Sequence, residues 1–283
     1  MHPVLFHIGS LVIPSYGATA AAGVLFALML AMHAARRLGT DPNRIWSLCI
    51  LMLFSALVGS RLLLVIANWS VLRHHPLWML SLAMIHHPLL AVIGSVIALA
   101  VAAVYARVYR LPFRTTADVL AAPVALGLAF EQIGALLAGS GYGTGAQVPW
   151  AVTYNDPLAE RWSDAPLGIP VHPVQAYAAL GLFAIAGGLL TWLPHRRQNG
   201  DIAGLFLSAT GIVLFITEFW RDPFGRGSLL GGVIKGPQVA GIVLVLAGAS
   251  MLFESKPQRI AVASAPVEQL PSPPLEIERP SHD

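Results

Sequence analysis

The stretch DVLAAPVALGLAFEQIGALLAGSGYG, residues 118–143, decides the fold. Between Val119 and Ala138 its only polar side chains are the adjacent pair Glu131 and Gln132. A helix rising 1.5 Å per residue crosses about 30 Å of hydrocarbon in about 20 residues, so this run is long enough to span a bilayer. A carboxyl group at that depth costs about 3 kcal/mol on insertion scales and therefore faces a partner or a cavity. Gly127, Glu131, Gly134, Ala135 and Ala138 recur at helical spacing, which sets the acid into one face of small residues. Two readings follow: a packing seam in which Glu131 bonds a neighbouring helix, or one wall of a polar cavity. Intramembrane acids favour the second. Gly139, Gly141 and Gly143 then permit tight turns and close backbone approach to a ligand.

Outward from this helix the chain repeats the pattern. Apolar stretches of spanning length run near 14–35, 45–67, 89–109, 118–139, 173–194, 202–220 and 236–254. The 283 residues are 56% hydrophobic and 11% charged, with mean hydropathy +0.68, whereas a soluble domain carries about 25% charged residues. The expectation is an all-α polytopic membrane protein of seven transmembrane helices. Basic residues follow the first, third, fifth and seventh stretches (Arg36, Arg37, Arg44; Arg107, Arg110, Arg114; Arg196, Arg197; Lys256, Arg259). Fewer lie on the other side, at Arg73, Arg161, Arg221, Arg226 and Lys235. The positive-inside rule then puts the N-terminus outside and the C-terminus in the cytoplasm. The net charge of +3 is accounted for by this topology and does not call for nucleic acid. Cys49 is the only cysteine, which excludes an intrachain disulfide and a cysteine metal site. No basic region precedes the first apolar run, so no cleaved signal peptide is expected.

Leu77 to Ile85 is apolar but too short to span, and reads as an interfacial or re-entrant segment. It lies between two His-His-Pro-Leu copies. His74, His75, His86 and His87 read as loop histidines rather than a metal site: as one helix, the pairs would stand about 18 Å apart. Residues 1–255 form the transmembrane domain. Residues 256–283, polar and rich in proline, read as a disordered cytoplasmic extension.

Three further polar groups need a reason. Arg61 follows Gly59-Ser60 in the second stretch, where it either snorkels to the interface or offers a planar fork to a phosphate. Glu218 and Arg221 stand one turn apart at the end of the sixth, as an interfacial ion pair or as charges directed at the same cavity as Glu131. His172, followed by Pro173 at the start of the fifth stretch, is accompanied by Gln175 and Tyr177.

In this order the pieces resemble the phosphatidylglycerol–prolipoprotein diacylglyceryl transferase family, from residue 2 to about 254. The resemblance includes the opening HPVLFHIG (residues 2–9), Ser15-Tyr16-Gly17, and Gly59-Ser60-Arg61 for a Gly-Gly-Arg element. It continues through Asp118–Gly143, the His172-Pro173-Val174-Gln175-Ala176-Tyr177 run, and Glu218-Phe219-Trp220-Arg221. Each motif is short; their order and spacing make the signal.

The resemblance implies a multi-pass enzyme of the bacterial inner membrane that needs no cofactor. It would move a diacylglyceryl group from phosphatidylglycerol to the lipobox cysteine of a preprolipoprotein. Glu131, Glu218, Arg221 and Tyr142 would be the catalytic groups, with Tyr16, Arg61, Gln132, Gly139, Gly143, His172 and Gln175 holding the lipid. The chain also departs from the family. Its phosphate-binding arginine corresponds to Gln132 and its asparagine to Ala135. The histidine opening the third helix is absent from Val92-Ile93-Gly94. A sixth-helix arginine falls at Leu214, the tyrosine before it at Thr210, and a fifth-helix glutamate at Ala178. A homologue that binds phospholipid or lipoprotein precursor without catalysis is therefore an alternative. A small transporter with Glu131 as its cation site is another, though the sequence shows no inverted repeat.

Overall fold

The computed structural model describes residues 2–8, 11–67, 69, 88–222, 228–229 and 234–253. Each of the seven apolar stretches is a helix: α1 (Ser15–Arg37), α2 (Pro42–Ala67), α3 (Pro88–Val108), α4 (Phe113–Ala138), α6 (Val174–Trp192), α7 (Asp201–Thr217) and α8 (Gly236–Phe253). A short surface helix, α5 (Pro157–Ser163), sits in the loop after α4. Five of the helices, α1, α2, α4, α6 and α8, are long and apolar enough to cross a membrane. Shorter apolar stretches, Val92–Val108 in α3 and Asp201–Thr217, complete the set. Leu77–Ile85, the four paired histidines and the 256–283 extension lie outside the described residues.

Among the described residues the helices are joined by three small two-stranded antiparallel sheets: β1 (Val4–Ile8) with β2 (Leu11–Pro14), β3 (Val152–Thr153) with β4 (Pro170–Val171), and β5 (Ser228–Leu229) with β6 (Ile234–Lys235). The first folds back onto the start of α1, where Ser15 N donates to Pro3 O (2.9 Å) and Ser15 Oγ donates to His2 O.

Helix α4 is the centre of the bundle, packed against α1, α6 and α7, while α2–α3 and α8 flank it. One core gathers Ala31, Ala34 and Ala35 of α1, Val119, Ala121 and Ala122 of α4, Leu189, Leu193 and Ile202. Its alanines let the backbones approach closely, as lipid-embedded helices require when no water drives them together. A second, smaller core of Tyr154, Ala159, Ala165 and Val171 lies under the loop after α4.

Helices α7 and α8 approach each other glycine to glycine. A Cβ added at Gly211 would stand 2.5 Å from Gly241 O and 3.0 Å from Leu244 Cβ; one at Gly241 would stand 2.8 Å from Gly211 O. Gly211→Leu is expected to force the helices apart at a cost of about 1–3 kcal/mol or more, seen as a lower melting temperature in detergent micelles. An unchanged melting curve would mean that α8 does not depend on this seam.

Candidate functional site

The glycines after α4 make a strand-like hinge. Gly139 ends the helix in the left-handed region (φ 83°), its N–H donating to Ala135 O, and Gly141 follows at φ 66°. The chain then runs between the exit of α7 and the approach to α6. Asp222 N donates to Tyr142 O (3.3 Å), Thr144 N to Trp220 O (2.8 Å), and His172 N to Thr144 O (3.0 Å). Gly143 pairs with Arg221 across this ladder. A Cβ at Gly143 would lie 2.5 Å from His172 O and 2.7 Å from Val174 Cγ2, so the three-way join needs glycine there.

Two buried groups tie α4 to this loop. Gln175 Nε2 donates to Ser140 O (2.8 Å) just past the helix, and Tyr154 Oη donates to Leu136 O (3.1 Å), a carbonyl that the last turn of α4 leaves without a helical partner. Burial pushes the Tyr154 phenol up to about 12, and the Gln175 amide pulls the other way. The Tyr142 phenol is also raised, by burial first and then by Asp222 and Asp164. It stays a hydrogen-bond donor at neutral pH.

Glu218 is fully buried at the end of α7, its Oε2 3.8 Å from Arg221 Nε. The ion pair read from their spacing is therefore present. Lys235, which sequence reasoning counted only for topology, clamps the same turn: its Nζ donates to Glu218 O (3.0 Å) and Arg221 O (2.7 Å). A lysine immediately before the apolar run of α8 was the available signal.

Beside this turn opens a groove of about 570 Å³ between α6 and α7. His172, Tyr177, Trp150, Thr217 and Trp220 line it with aliphatic side chains of α7 and the loop. Its surface is almost wholly apolar. Trp150 Nε1 donates to Tyr177 Oη (2.7 Å), and Tyr177 Oη lies 3.3 Å from His172 Nδ1. The Tyr177 and Trp220 rings meet edge to face at 6.2 Å.

Glu131 and Gln132 stand elsewhere, on the α1 side of α4. Tyr16 Oη donates to Glu131 Oε1 (3.1 Å) and Gln132 Nε2 to Glu131 Oε2 (2.6 Å). Gly127 and Gly134 face α1, where a Cβ at Gly134 would run into Thr19 and the Tyr16 backbone. The face of small residues is thus the α1–α4 seam, with the carboxylate bonded across it. Arg61 is half-buried on α2, which packs on α1 and α3. The structure brings Gly139, Tyr142, Gly143, His172, Gln175, Glu218 and Arg221 together at the loop end. It sets Tyr16, Glu131 and Gln132 apart as a second group. Among the described residues no cluster of histidine, cysteine and acid has metal-binding geometry.

Comparison with known proteins finds matches along most of the chain. The family model described as prolipoprotein diacylglyceryl transferase matches residues 3–254. Phosphatidylglycerol–prolipoprotein diacylglyceryl transferase of Vibrio cholerae serotype O1 is 31% identical over 265 residues, 89% of this chain and 91% of the relative. The protein of the same name from Idiomarina loihiensis is 31% identical over 270 residues, covering 90% and 94%. That from Clostridium tetani is 29% identical over 232 residues, covering 81% and 90%.

Proposed function

The chain belongs to the prolipoprotein diacylglyceryl transferase family, and from that premise we propose that it transfers diacylglyceryl from phosphatidylglycerol to a lipobox cysteine. The thiol sulfur attacks the glyceryl carbon that bears the phosphate. A C–S bond forms, the C–O bond breaks with its electron pair on oxygen, and glycerol phosphate leaves. The thiol proton goes to a base. The observation that supports this reading is the placement of an apolar groove of about 570 Å³ directly beside the Glu218–Arg221 turn and the glycine loop. The groove takes the lipid's carbons; the Arg221 guanidinium and the Tyr142 hydroxyl hold the phosphate as charge moves onto it. Glu218 orients Arg221. Glu131 is the proposed acceptor of the thiol proton, which requires the lipobox cysteine to enter on the α1 side of α4, where Tyr16 and Gln132 hold the carboxylate apart from the groove. Arg61 meets the lipid headgroup from α2, and Gly139, Gly143, His172 and Gln175 shape the loop end around it.

The setting proposed is the bacterial inner membrane, crossed seven times with the loop end outside and residues 256–283 in the cytoplasm. A second reading, a lipid-binding relative without catalysis, is favoured by one contact. Where the family's phosphate-binding arginine corresponds to Gln132, the amide is turned onto the Glu131 carboxylate at 2.6 Å, so this side chain offers a phosphate no positive charge.

The test is thiol-diacylglyceryl transfer in proteoliposomes containing phosphatidylglycerol with a labelled acyl chain and a lipobox peptide. Transfer above empty liposomes supports the enzyme. Glu131→Gln should then reduce it by about 10² to 10⁴-fold while bound lipid is retained. No transfer with phospholipid still co-purifying supports the binding relative. Neither transfer nor bound lipid reopens a transport role.

A further inference from the structure

We propose that Trp150 is a positioning residue which, acting through Tyr177, fixes His172 as the Nε2–H tautomer, so that the imidazole presents a hydrogen-bond donor to the groove. Trp150 is an indole donor with no acceptor capacity, so the 2.7 Å contact commits one lone pair of the Tyr177 oxygen. The phenolic proton must then find its own acceptor. Among the described residues the remaining polar contact of Tyr177 is His172 Nδ1, at 3.3 Å. The opposite arrangement, Nδ1–H donating to the phenol, would ask one phenolic oxygen to accept from both Trp150 and His172 although its second lone pair is drawn into the ring, and would leave its O–H to solvent at the open groove.

Donation therefore runs in one direction, Trp150 to Tyr177 to His172, and the ring proton of neutral His172 is left on Nε2. Trp150 and Tyr177 come from the loop and from α6, and the ring planes of His172 and Tyr177 cross at 61°. The triad thus fixes ring orientation as well as tautomer, the usual task of a partner on the second imidazole nitrogen. The consequence rests on the transferase reading. A ring held as Nε2–H offers a phosphodiester oxygen a donor, and it does not offer the thiol a base at that nitrogen.

The experiment uses the full chain labelled with ¹⁵N-histidine in nanodiscs at neutral pH, with long-range proton–nitrogen correlation reporting the tautomer. His172 is assigned by the signal lost in His172→Gln. The expected wild-type pattern is a protonated Nε2 with an unprotonated Nδ1, and a mixture of both tautomers in Trp150→Phe and in Tyr177→Phe. In the transfer assay both variants should lower kcat about tenfold, the effect of one hydrogen bond, with KM nearly unchanged. An Nδ1–H or doubly protonated ring in the wild type overturns the proposal. So does a Trp150→Phe spectrum identical to the wild type, even if transfer falls. If the tautomer shifts as expected but the wild type transfers nothing, the positioning role stands and the transferase reading fails.

Discussion

Arg221→Ala is expected to abolish diacylglyceryl transfer, by about 10²-fold or more, the range seen when a single preorganised donor to a developing oxyanion is removed. The substitution also has a structural cost. Glu218 is fully buried and Arg221 is its ion-pair partner, with 13% of the arginine side chain exposed. Breaking such a pair takes a charged partner from the buried carboxylate and costs about 3–5 kcal/mol. Loss of activity alone would therefore be ambiguous. The double variant Glu218→Gln with Arg221→Ala separates the two effects, because it removes the buried carboxylate's charge as well. Its thermal stability in micelles should recover much of what the single variant loses, while transfer stays absent; the difference measures the coupling of the pair. Arg221→Lys should fall between, keeping the charge but losing the two-pronged donor geometry that matches a phosphate. Transfer surviving in Arg221→Ala would show that the phosphate is held elsewhere, with Arg61 the next residue to test.

The helices were legible because each needs a long apolar run, and bilayer thickness turns length directly into structure. The ends were legible for the same local reason: Gly139 at the close of α4 takes the left-handed conformation that glycine favours. The Glu218–Arg221 pair could be read from i, i+3 spacing. Partnerships between distant segments could not. Small residues flanking Glu131 announced a close approach but not that its partner would be Tyr16, 115 residues away. Nothing local marks Trp150 as the partner of Tyr177, 27 residues away. The small sheets were missed because β1, β2 and their neighbours are two to five residues long, too short to show a period.

Asp118→Ala is expected to cause the largest loss of stability without touching the groove. This aspartate, almost fully buried on α4, accepts from two backbone N–H groups of another helix's start: Gly200 N to Oδ2 at 2.8 Å and Ala203 N to Oδ1 at 2.9 Å. Arg196 Nη1 approaches Oδ2 at 3.4 Å. The first turn of α7 leaves N–H groups without helical acceptors, and its N-cap, Gly200, has no side chain to answer them. Asp118 supplies the cap from 82 residues away, and its charge suits the positive end of the helix dipole. Alanine there would orphan two donors and remove the partner of Arg196, a cost of about 3–5 kcal/mol. That corresponds to a fall in melting temperature of about 10 °C for a chain of this size. Asp118→Asn should fall between, since its amide keeps one acceptor but turns a donor toward the second N–H. The contrast with Arg221 is the test of how the bundle divides its labour. Asp118→Ala protein held below its own melting temperature should retain transfer close to wild type, because α7 is anchored at one end and reactive at the other. If transfer instead fell as steeply as stability, the two ends of α7 would be coupled, and the groove would depend on the register that Asp118 sets between α4 and α7.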